Sequence, residues 1–240
     1  MTACKLPLLQ SQRSESWLLP DATPSKVDKG EIVEFIAKDR TVKFADGSIE
    51  KDVDHVVFCT GYFYSFPYLD LKPPLIGDGT HVQNLYQHLF YQQNATLAVP
   101  VLQQRIIPFP MAEAQAAVLA RVWSGRLTLP SQVEMKAWEE EVESATGGGR
   151  AFHILKFPQD ADYINAMYDF AMSADDGESK GKRPPRWDAR LYWLRETIPQ
   201  IKKAFQEKGD GRHEIKTIEE LGFSYEQFLI EEEKENKSLI

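Results

Sequence analysis

Apolar and polar positions change rhythm twice along this chain. Residues 1–30 mix Ser, Pro and charge without a sustained period and read as loop. Ile32–Ile36 and Thr41–Phe44 are short β-type runs, separated by Lys38, Asp39 and Arg40. Asp46-Gly47-Ser48 follows as a turn, because glycine tolerates positive φ and aspartate bonds its own backbone. The run 52–58 is apolar at its end and predicts a buried strand. Residues 62–79, crowded with aromatics and with Pro67, Pro73 and Pro74, predict an ordered loop. From 81 to 102 the pattern is strand-like again, in Leu85-Tyr86, 88–91 and 96–102.

Helical spacing takes over near Pro110, which suits a first turn where its missing N–H would be unpaired anyway. Met111, Gln115, Val118, Leu119 and Val122 recur on one face. Ala112, Ala114, Ala116, Ala117 and Ala120 keep the remaining faces small, which predicts a buried, closely packed helix. Ser131 with Glu134 is a capping box, opening a helix with Val133, Ala137 and Trp138 inward and Gly147-Gly148-Gly149 at its end. Ile164, Met167, Tyr168 and Ala171 mark a further helix. Residues 173–186 are the linker candidate. Leu191, Leu194 and Ile198 make an apolar stripe before Pro199, and Thr217/Glu220 and Ser224/Gln227 are two more capping pairs. The last ten residues predict a solvated, frayed end.

Composition narrows the class. The chain has 240 residues, 42% hydrophobic, with 28 Lys+Arg against 36 Asp+Glu and a net charge of -8. That is enough apolar material for a core. The acidic balance argues against nucleic acid and anionic membranes as partners. No apolar run is long enough for a spanning helix and the amino terminus is a poor secretory signal, so a cytoplasmic location is expected. Cys4 and Cys59 are too few and too ill-placed for a disulfide framework.

Two stretches carry candidate chemistry. Val57-Phe58-Cys59-Thr60-Gly61-Tyr62 is a strand end stopping at glycine, which lets a backbone come close to a ligand at a sheet's carboxyl edge. On spacing alone, a glycine needed only for its turn is the more economical reading. Pro108-Phe109-Pro110 opens the Ala-rich helix, whose amino end suits an anionic ring or phosphate, and a plain core helix is the simpler alternative. The histidines His55, His81, His88, His153 and His213 show no metal-ligand spacing, and His88 reads as structural. No G-x-G-x-x-G turn between a strand and a helix is present.

The segments VVFCTGYFYSFPYLD, YQHLFY and TLAVPVLQQRIIPFPMAEAQAAVLARVWSGRLTLP, in that order, resemble the carboxy-terminal half of flavin-containing monooxygenases, particularly the fungal, thiol-oxidising kind. GKRPPRW, WLRETIPQIKKAF and IEELGFSY are similar to fungal members. The resemblance implies an α/β fold: the C-terminal part of a flavoprotein with two dinucleotide-binding domains, an incomplete Rossmann-like FAD domain and a helical C-terminal region. It implies three parts: a loop-rich remnant of the NADPH-binding domain (1–30), the C-terminal half of the FAD-binding monooxygenase domain (31–173), and a linker with a helical extension (174–240).

The function implied is NADPH- and O2-dependent oxygenation of sulfur or nitrogen in a small soft nucleophile, with FAD and NADPH as cofactors. Cofactor-binding roles fall by resemblance on Thr60, Gly61 and Tyr62 of the C-T-G-Y signature, and on Pro110 and Gln115 at the start of the helix pointing at the flavin; Glu113 matches there too. Val101 stands where family members carry a glycine that lets the backbone approach the flavin, and Pro100 before it lacks an N–H. The expected partners are a small thiol or amine substrate, and either self-association or an intact homologue. The chain alone is expected to be weak or inactive, needing a partner or an amino-terminal half. The alternative is a fold-retaining, inactive paralogue acting as a binding subunit.

Overall fold

A computed structural model describes residues 6–13, 26–174 and 181–238. Cys4 and Trp17, and 175–180 of the linker candidate, lie outside the described residues. The chain divides into two units, Met1–Gly61 and Tyr62–Ile240.

In the first unit β1 (Leu8–Ser11) pairs in parallel with β2 (Lys26–Lys29). The sequence predicts only loop here, because runs of four residues show no period and only a distant partner makes them strands. β3 (Ile32–Ile36), β4 (Thr41–Phe44) and β5 (Ile49–Glu50) form an antiparallel meander in that order. Asp46 accepts from the Ser48 amide at 2.8 Å in the turn before β5, as its sequence requires. Central β4 buries Val42 and Phe44, and Lys29 lies over the Phe44 ring while pairing with Glu50 at 2.8 Å.

Residues 52–58 overturn an expectation. They are neither strand nor buried: Val57 is 82% and Phe58 68% exposed. A strand exists only when neighbours take its N–H and C=O groups in a ladder, and among the described residues the Val53 amide bonds the Arg40 carbonyl at 2.9 Å without any strand forming beside the run. Arg40 holds its beginning by ion pairs to Asp52 and Asp54.

In the second unit, residues 62–79 form the expected ordered loop. Its Tyr64, Phe66, Leu69 and Leu71 pack on a cluster of Leu75, Val82, Leu85, Tyr91 and Leu102. β6 (Leu85–Tyr86) and β7 (Phe90–Tyr91) make a short hairpin. Of the expected strand 96–102 only a bridge from Ala98 to Phe90 forms, because the chain leaves the sheet at Pro100.

α1 (Pro108–Trp123) and α3 (Gln159–Met172) pack face to face and make the main core from Met111, Ala114, Val118, Ile164, Met167 and Ala171. Small residues let the two helices approach closely. α2 (Gln132–Thr146) has the full Ser131/Glu134 capping box and ends on left-handed Gly147. Its inward line differs from the expected one: Met135 is buried, Trp138 meets Tyr86, and Val133 is 79% exposed. The helix rests on the small hairpin, which covers only one narrow strip of it.

The carboxy-terminal part begins with Trp187, buried against α3 and fixed by Asn165 through bonds of 2.8 and 3.0 Å. α4 (Ala189–Glu207) is capped by Asp188 and runs on through Pro199. Glu220, rather than Thr217, engages backbone in the expected capping pair, accepting from the Lys216 amide at 3.3 Å. α5 (Tyr225–Ser238) starts where the Ser224 hydroxyl accepts from the Gln227 amide, and packs on α4 through Trp193, Tyr225 and Phe228. The terminal acidic stretch is helical as far as Ser238, and its Glu231, Glu232 and Glu233 are exposed. Among the described residues no helix is long and apolar enough to cross a membrane.

Candidate functional site

The expected site residues divide between the units. Thr60 and Gly61 are exposed in the first; Gly61 has φ +84, and a Cβ built there would meet nothing within 4 Å. That positive φ is one glycine adopts freely. Tyr62 opens the second unit with 93% exposure. Val101, Pro110 and Gln115 belong to the second unit, and here the structure brings two of them together.

Val101 has φ +58, a left-handed backbone that a branched residue rarely adopts. Its N–H donates to Gln115 Oε1 at 2.8 Å. Gln115 projects from α1 and is fully buried. With its oxygen committed to Val101, its Nε2 donates to the Tyr163 hydroxyl at 3.0 Å and to Gln103 Oε1 at 3.4 Å. Tyr163, on α3, donates in turn to the Gln87 carbonyl at 2.6 Å. Burial pushes the Tyr163 phenol up, so it keeps the proton this bond needs.

Gln87 and His88, at φ +55 and +52, are the central residues of the β6–β7 turn. Two positive φ values are the requirement of a type I′ hairpin turn, normally met by Asn-Gly. Here side chains hold the geometry: Tyr163 takes the Gln87 carbonyl, and His153 takes the His88 ring at 3.1 Å. His88 and His153 are both buried, beside Phe152 and Trp138. Burial lowers the His88 pKa to about 4; burial, then the neighbouring histidines, lower that of His153 to about 3. Both are neutral near pH 7.

Pro110 lies in the first turn of α1, which begins at Pro108 with no side-chain cap. Phe109 between the two prolines is 85% exposed. Glu113 pairs with Lys182 at 2.7 Å. Farther along, Arg105 at φ +63 has its carbonyl held by Arg195 Nη2 at 2.9 Å, while Arg195 Nε reaches the fully buried Asp160 at 2.7 Å. No group of three or more His, Cys, Asp or Glu side chains is placed to hold a metal ion among the described residues. Cys59 is exposed.

Sequence reasoning missed Tyr163, the His88–His153 pair and Asp160–Arg195. Each depends on residues at least 35 positions apart, and no local pattern announces them. A Gln-His pair in a hairpin turn carries no turn signal of its own.

Comparison with known proteins gives this arrangement a family. Residues 9–176 match the model of the flavin-binding monooxygenase-like family. The thiol-specific monooxygenase of Saccharomyces cerevisiae is 31% identical over 110 residues, 42% of this chain and 26% of its own. The flavin-containing monooxygenase FMO GS-OX-like 2 of Arabidopsis thaliana is 35% identical over 167 residues, 68% of this chain and 34% of its own. The structure of S-allyl-L-cysteine S-oxygenase from Allium sativum superposes with a TM-score of 0.62 at 23% identity, over 95% of this chain and 47% of that one. The chain thus matches a quarter to a third of these curated relatives and about half of the solved protein, sharing its mixed α/β fold with a helical carboxy-terminal region. It belongs to the flavin-binding monooxygenase-like family.

Proposed function

We propose that this chain is the carboxy-terminal half of a flavin-dependent monooxygenase, which in complete form oxygenates sulfur or nitrogen of a small soft nucleophile with NADPH and O2. The observation that carries this reading is the family match over residues 9–176. The names of the yeast and garlic relatives favour a sulfur substrate. Thr60, Gly61, Tyr62, Pro110 and Gln115 keep their proposed cofactor-side roles, residues 1–30 the remnant of an NADPH-binding domain, 31–173 the half FAD domain and 174–240 the extension. A cytoplasmic setting is part of the same reading.

FAD would supply the oxygen-activating chemistry. The residues present do not by themselves fit it. No Gly-rich phosphate turn occurs in the sequence, and the left-handed position at Val101 carries a branched side chain where a close backbone approach would need none. No chemical step is therefore assigned to residues of this chain. The exposed stretch 54–58, which belongs to no strand, supports a sheet completed by a further stretch of polypeptide, in this chain or another.

A second reading, an inactive paralogue that binds an intact homologue, is favoured by Val101. The test is an absorption spectrum of the purified protein before and after adding FAD, followed by NADPH oxidation with a thiol. The expected result is a colourless protein without oxidase activity. Stoichiometric bound flavin and thiol-dependent NADPH consumption by this polypeptide alone would overturn the half-enzyme reading.

A further inference from the structure

The family match ends at residue 176, and the described chain continues to Ser238. That continuation carries two open surfaces of complementary chemistry. The first is a groove of about 260 Å³ between α4 and the segment that follows it. Ile201 and Phe205 of α4 line it, facing Ile215 and Ile218, and Phe205 stays 38% exposed. Lys202 and Lys216 line it too, both exposed, and among the described residues neither forms an ion pair.

The second surface is the outer face of α5. Tyr225 and Phe228 turn to Trp193 of α4, which leaves Leu229 41% and Ile230 54% exposed. Residues three and four apart share a helix face. Glu226 therefore lies one turn before both apolar side chains; Glu232 and Glu233 lie one turn after Leu229, and Glu233 and Lys234 one turn after Ile230. The apolar pair is thus set among carboxylates, with Lys234 as a cation between them.

An apolar trough edged by lysines is the complement of such a face. It is open to solvent, so a small molecule in it would keep much of its surface wet, whereas a helix lays one stripe into a groove of this kind. Both surfaces belong to one chain, and α5 cannot turn its stripe inward while Tyr225 and Phe228 hold it on α4.

We propose that α5 of a second copy of this chain lays its Leu229–Ile230 face into the groove between α4 and residues 215–218, with Glu232 and Glu233 beside Lys202 and Lys216. Exchange in both directions makes a two-fold pair, in which the same two surfaces meet twice. The contact draws nothing from the flavin reading and is tested apart from it.

The test is sedimentation equilibrium of the whole chain across the micromolar range. The mass is expected to rise from one chain to two, and added salt to weaken the association. Lys202→Glu combined with Lys216→Glu is expected to weaken it by about tenfold, because attractive pairs become repulsive at both contacts. Glu232→Lys combined with Glu233→Lys should do the same. Mixing these two variant chains restores one contact as in the parent and the other with its signs exchanged, and should return association to the parent's level. Lys136→Glu combined with Lys156→Glu makes the same charge change outside the groove and should leave association unaltered. All six positions are exposed, so urea midpoints of the variants should match the parent's.

A chain that stays single at every concentration would overturn the proposal and leave the groove to a different partner. Association that ignores both charge sets, or a mixture that does not recover it, would overturn α5 and this groove as the contact.

Discussion

His153 donates its Nδ1 proton to Nδ1 of His88 across 3.1 Å, and the Val82 amide fixes that direction by donating to His153 Nε2 at 3.0 Å. The pair accepts no additional proton without breaking one of these bonds. Protonation would also put a charge among Phe152, Trp138 and the third histidine, His81.

Stability is therefore expected to depend on pH in a defined window. Both histidines have folded pKa values, about 4 and about 3, below the unfolded value near 6.5. Their contribution is complete above pH 6.5 and is lost as pH falls toward the folded values. The limiting slope is about 1.4 kcal/mol per pH unit for each histidine. Urea melts between pH 7.5 and 5 should show a falling midpoint, and a flat profile would mean the pair is not held neutral.

Removing Arg195 should cost far more than its exposed relatives do. Arg195→Ala strands the fully buried Asp160 carboxylate and frees the Arg105 carbonyl. A broken buried pair of this kind costs about 3–5 kcal/mol. Lys136→Ala, which breaks an exposed pair to Glu140, should cost less than about 0.5 kcal/mol. Chemical denaturation of the two variants makes the comparison.

Apolar residues of similar size should respond oppositely to their positions. Ile164→Ala, at the α1–α3 contact, is expected to cost about 2–5 kcal/mol. Val57→Asp should change stability by less than about 0.5 kcal/mol, because Val57 is 82% exposed. A large loss from Val57→Asp, read by the same denaturation, would mean that the run 52–58 packs against something in solution.

What the sequence discloses here is local. The Ser131/Glu134 box, the proline-led start of α1, the Asp46–Ser48 turn and the α3 stripe each state their structure within a few residues, and each forms. The run 52–58 fails as a strand because strand character belongs to pairs of segments. Gln87-His88 passes unnoticed because a turn usually written Asn-Gly is here enforced by Tyr163 and His153, 76 and 65 residues distant. At the candidate site, Val101 and Gln115 are singled out by resemblance. Their direct bond and the left-handed backbone it secures are three-dimensional facts.

Trp187 has a consequence for where this protein can be cut. It sits 7% exposed, bonded twice to Asn165, and Tyr192 beside it donates to Asp162 at 2.7 Å. A nuclease-trimmed gene ending within the Pro-rich stretch 183–185 would strip this lid from α3 and bare the apolar surface beneath it. The shortest clone that stays folded must therefore read past Arg195.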